Sequence, residues 1–250
     1  MSGIGVIGLA FLGSLAAGLA TGVGALPILF IRAASERLLD GMLGFAAGVM
    51  LAATFFSLLV PAIEAGGVWI TVAGLIVGAV LLRLMDSFTP HMHFILGREG
   101  PASNLRRIWL LIFAITLHNL PEGLSVGIIF GSGDVAAGVT LATAIGLQNM
   151  PEGLAVALPL VREGYSRRRA LGYATVSGLV EPVAGLAGAL AVALARPLLP
   201  LGLASAAGAM LYVIFDEMIP ESHRQGHERV ATFGAMTGFA VMMVLDTVLG

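Results

Sequence analysis

Two short segments of this chain carry groups able to hold a divalent cation. LHNLPEGLSVG contains His118, Asn119 and Glu122, and LQNMPEGLAVA contains Gln148, Asn149 and Glu152. Both follow the pattern [HQ]-N-x-P-E-G-L, so the second repeats the first. His118 and Glu122 stand at i and i+4, as do Gln148 and Glu152, which puts each pair on one helix face. A third segment, GLVEPVAG, adds Glu181. Where such faces meet, one imidazole, two or three carboxylates and several carboxamide oxygens make a divalent cation site. Imidazole with carboxylate suits zinc, iron, manganese or cobalt better than calcium or magnesium, which take all-oxygen shells. Cysteine is absent, so thiolate ligands are excluded, and a shell containing amides implies modest affinity. Two glutamates between two clusters could also bridge a pair of ions, with Asn119, Asn149 and Glu181 completing the second position.

The elements that carry these residues follow from composition. The chain has 250 residues, 58% hydrophobic and 11% charged, with a mean hydropathy of +0.96. Soluble domains carry about 25% charged residues, so this chain cannot coat a water-facing surface. The expected fold is an all-α integral membrane bundle of about eight helices, one domain over residues 1–250, with the cation site at mid-membrane. Candidate spans are Ile4–Ile31, Gly41–Ile63, Val68–Met85, Trp109–Phe130, Val135–Val161, Leu171–Ala195, Leu201–Ile219 and Val230–Leu249. The first lacks a charged leader and is too long for a signal peptide. Gly18/Gly22, Gly44/Gly48, Gly74/Gly78, Gly127/Gly131 and Gly234/Gly238 are spaced to let helices approach closely. Pro121 and Pro151 each free a carbonyl one turn earlier, near Leu117 and Leu147.

With these spans, every arginine but Arg196 falls on one side of the membrane, and there is no lysine. Arginine-rich short loops stay cytoplasmic, so both termini are expected outside and the loop at about 86–107 inside. That loop holds His91 and His93, in either a plain solvated segment or a metal sensor. No basic stripe with interleaved aromatics occurs, so nucleic acid is not an expected partner; lipid is.

Ionisable groups in the bilayer cost about 2.5–3.5 kcal/mol each on insertion scales. A lone buried His or Asn more often glues helices together than binds an ion. Seven polar residues on three neighbouring spans, with the motif duplicated, favour a site. Asp216 and Glu217 either extend the pathway or sit at the interface, with His223 and His227 in solvent. A membrane metalloenzyme would need H-E-x-x-H or E-x-x-H, and neither string occurs.

The pair HNLPEG and QNMPEG on consecutive central spans, followed by an E-P helix, resembles the ZIP metal-transporter family in its bacterial GufA-like branch. The resemblance covers essentially the whole chain. It implies a transporter, not an enzyme, in the inner cytoplasmic membrane, commonly a homodimer, moving zinc or related ions (iron, manganese, cobalt, cadmium) into the cytoplasm. It implies a binuclear site: His118, Glu122, Gln148 and Glu152 at one position; Asn119, Glu122, Asn149, Glu152 and Glu181 at the other. It also implies an elevator-like motion of a bundle built on spans one, four, five and six. Some bacterial relatives carry Asp where this chain has Asn149, so the second position here has one charge fewer.

Overall fold

In lipid every backbone N–H and C=O must be satisfied within the segment, so apolar sequence of this length folds as helix. A computed structural model describes residues 3–31, 34–93, 97–99, 107–223 and 226–249. The helices are α1 (Gly3–Ala25), α2 (Glu36–Ala53), α3 (Val60–Phe88), α4 (Arg107–Ser132), α5 (Val135–Arg162), α6 (Arg167–Gly178), α7 (Val180–Leu194), α8 (Leu199–Val213), α9 (Ile219–Ser222) and α10 (Glu228–Leu249). Among the described residues, six helical stretches are long and apolar enough to cross a membrane, and the protein is a multi-pass, all-α membrane protein. One stretch, Glu36–Phe88, runs 53 residues, long enough for two crossings at 1.5 Å per residue. The helix is broken at Gly67, whose φ of 76° and ψ of 166° only glycine adopts readily. The 28 residues of α5 also suffice in length, although its Gln148–Glu152 segment dilutes its hydropathy. Outside the bundle the expected all-helical chain gives way to one hairpin among the described residues. Strands β1 (His91–His93) and β2 (Gly97–Glu99) pair antiparallel. The side chains of His91 and His93 lie outside the described residues.

Prolines explain most departures from the expected spans. Pro27 ends α1 in a 3-10 turn, Leu26–Leu29, where one continuous helix to Ile31 was expected. Pro61 and Pro220 each follow a π-helical turn, Thr54–Leu59 and Ile214–Met218. A proline ring displaces the carbonyl four residues back, and a widened turn accommodates it. Span six, expected unbroken, is interrupted at Leu179, because Pro182 cannot donate to the Gly178 carbonyl. By contrast α4 and α5 stay helical through Pro121 and Pro151.

Short turns set the neighbours. Gly133 (φ 96°) and Gly164 (φ 91°) reverse the chain between α4 and α5 and between α5 and α6. The next helices start on capping side chains: Asp134 accepts from Ala137 N at 3.0 Å, and Ser166 from Arg169 N at 3.4 Å.

All five glycine pairs lie where helices touch. Gly18 and Gly22 face Gly178 and Thr175 of α6; Gly127 and Gly131 face Gly185 and Ala189 of α7. Gly44 and Gly48 face Ala231 and Ala235 of α10, and Gly234 and Gly238 face Gly41 and Phe45 of α2 in return. Gly74 and Gly78 rest on Leu201, Ala204 and Ser205 of α8. These contacts sort the helices into two sets, α1 with α4–α7 and α2–α3 with α8–α10. Within a set, backbone meets backbone. Between sets, which touch along α2–α5 and α4–α8, Gly202 is the glycine that faces across. A Cβ there would meet only the Ile128 side chain, 3.4 Å away. Large side chains including Met50, Phe130, Ile145, Met210 and Met242 fill the core between the helices. Trp69, Ile76, Leu81 and Phe88 of α3 and Phe233 and Val248 of α10 face outward, as expected of surfaces toward lipid.

Candidate metal centre

The break in span six decides how the site is built. It places Glu181 in the first turn of α7 and leaves the Ser177 carbonyl facing α4, where Asn119 Nδ2 donates to it at 3.1 Å. Across α1 and α5, Asn149 Nδ2 donates both to the Ala17 carbonyl (2.9 Å) and to Glu181 Oε1 (2.7 Å). Gln148 Nε2 donates to Glu122 Oε1 at 2.6 Å. A carbonyl can only accept, so Ser177 and Ala17 fix which end of Asn119 and Asn149 is nitrogen. Their oxygens therefore turn the other way.

Those oxygens have no hydrogen-bond partner. Asn119 Oδ1, Glu122 Oε2, Gln148 Oε1, Asn149 Oδ1, Glu152 Oε1 and Glu181 Oε2 are all buried and unbonded. A buried polar atom left without a partner costs about 1–3 kcal/mol, more when charged. Six such atoms, all acceptors, from the six oxygen-bearing residues expected at the site, form a lining whose chemistry suits a cation. Glu122 and Glu181 are fully buried, and Glu152 and Glu181 lie close enough for their charges to bear on Glu122. His118 is the one basic side chain in the group. Histidine and carboxylate do not by themselves gather three at a time into a ready cage among the described residues, so a full shell must draw on the amides.

His118 is held from elsewhere. Its Nε2 pairs with Glu217 Oε2, from the π turn after α8. That turn sends consecutive side chains opposite ways: Glu217 is buried, whereas Asp216 is exposed and accepts from Tyr212 Oη at 3.0 Å. Of these two acidic residues, Glu217 meets His118 and Asp216 meets Tyr212. His118 and Glu152 are the partly exposed members of the group.

The histidines nearer the C-terminus are not simply in solvent. His227 Nδ1 lies 2.9 Å from Oδ2 of the buried Asp40, and His223 Nδ1 lies 2.9 Å from the Ile219 carbonyl. Asp40 escaped the sequence reading because it stands at a helix start, where acidic residues are commonplace. The carbonyls of Ala17 and Ser177 escaped it too, since no side chain marks them.

Known proteins resemble this chain over most of its length. The family model described as ZIP Zinc transporter matches residues 97–246, which include all three motif segments. The chain is 46% identical to "Zinc transporter ZIPB" of Bordetella bronchiseptica, over 98% of this chain and 82% of that protein. It is 44% identical to "Zinc transporter GufA" of Myxococcus xanthus, over 98% of this chain and 100% of the relative. It is 39% identical to "Zinc transporter ZIP11" of Homo sapiens, over 92% and 94%. A transporter framework therefore underlies the buried acidic and amide cluster, and the chain belongs to the ZIP zinc transporter family.

Proposed function

We propose that the protein carries divalent metal ions, zinc foremost, through the inner cytoplasmic membrane into the cytoplasm. The observation that carries this reading is the set of six buried oxygens without protein partners, gathered from α4, α5 and α7. The mixed histidine, carboxylate and amide shell also admits iron, manganese, cobalt or cadmium. The ion's first position draws on His118, Glu122, Gln148 and Glu152, and its second on Asn119, Glu122, Asn149, Glu152 and Glu181. Glu122 and Glu152 serve both.

Residues 1–250 act as one transport unit of eight spans, with both termini outside, and two copies form a dimer, an expectation that rests on the family resemblance. All seven of these donors lie in the set α1 with α4–α7. The tight backbone contacts inside each set, and the side-chain contact between them, support an elevator-type exchange in which that set moves with the ion against the other.

Flux of zinc into vesicles containing the purified protein and a zinc-sensitive dye tests the reading. Glu122→Ala and Glu152→Ala should each abolish flux while the protein stays folded. His118→Ala should damage the first position most, because imidazole is its one nitrogen donor. Normal transport by Glu122→Ala would overturn the site.

A further inference from the structure

We propose that Glu217 is a positioning residue for the first metal position. In the state seen here it holds His118 and competes with the ion for the imidazole. Glu217 is an acidic side chain that reaches the site from the second set, and it is only 4% exposed. A buried carboxylate needs a partner, and Nε2 of His118, the ring nitrogen that reaches furthest from α4, pairs with it. The same nitrogen cannot bond a metal while it is held by a carboxylate.

The set to which Glu217 belongs gives the pairing its consequence. Gly127 and Gly131 hold α4 to α7, while the π turn after α8 packs on α2, α8 and α9. Movement of the first set past the second would take His118 away from Glu217, so the pair exists at one end of the motion only. There it lowers the affinity for the ion and favours its departure.

This inference rests on His118 being a ligand, as proposed above. Zinc binding to the purified full-length protein, measured with a competing chelator alongside melting temperature, tests it. Glu217→Gln keeps the shape and removes the charge, so the zinc Kd should fall about tenfold, the scale of one charge-assisted hydrogen bond. Turnover in vesicles should fall too, because the ion is retained. In the His118→Ala background the same change should leave the zinc Kd where His118→Ala alone puts it. A lower melting temperature with unchanged zinc affinity would make Glu217 merely structural. Weaker zinc binding would make it a donor to the ion. Either result overturns the proposal while the His118 assignment stands. If His118→Ala alone leaves zinc affinity intact, the ligand assignment fails and this proposal falls with it.

Discussion

At the scale of single residues, Asn149 shows how hydrogen bonding can substitute for charge. Its amide nitrogen joins Ala17 on α1 to Glu181 on α7, while its oxygen stays available to an ion. A carboxylate there would lose both donated bonds and face Glu181 directly. Asn149→Asp should therefore destabilise the metal-free protein by about 2–3 kcal/mol and be rescued by zinc more strongly than the parent. Melting curves with and without zinc would check this, and equal zinc-induced shifts in the two proteins would refute it. The seven candidate residues stood out in the sequence because ionisable and amide groups in a lipid span have few innocent explanations. Glu217 was only half legible. Its neighbour Asp216 has the same chemistry, and only the π turn decides which of the two is buried.

At the scale of elements, the glycines divide by what a methyl group would strike. A Cβ on Gly127 would run into the Gly185 backbone, whereas one on Gly172 meets nothing within 4 Å. Gly127→Ala should cost about 1–3 kcal/mol through overpacking, and Gly172→Ala should gain about 0.5–1 kcal/mol through helix propensity. Unfolding in detergent, followed by circular dichroism, would measure both. Were Gly127→Ala neutral, the close α4–α7 crossing would be wrong. Glycine spacing disclosed which faces pack, since small residues four apart are a local pattern. It did not disclose which helix packs on which. Partner choice depends on contacts far apart in sequence, as between Gly44 and Ala231. The break at Leu179 was within reach, because Pro182 stands in plain view four residues after the carbonyl it leaves unpaired.

At the scale of the molecule, orientation and motion can each be tested with introduced cysteines, since the chain has none of its own. If the arginine-rich loops are cytoplasmic, Arg168→Cys should resist an impermeant thiol reagent in intact cells and Asp134→Cys should react; the reverse pattern would invert the topology. For motion, the Arg162–Glu36 ion pair bridges the two sets at 2.7 Å between partly exposed side chains. Joining Glu36→Cys to Arg162→Cys with a short bifunctional maleimide should stop zinc flux, while labelling either cysteine alone should leave most of it. Full flux after complete cross-linking would contradict relative movement of the sets.

The interleaving of the two sets also bears on synthesis. The first set is complete once α7 leaves the ribosome, at Leu194. The second is opened early by α2 and α3, whose glycine faces stay uncovered until α8 and α10 arrive, the latter ending at Leu249. During translation α2 and α3 therefore wait in the membrane with that packing surface bare. Its covering depends on α8 and α10, made more than a hundred residues later.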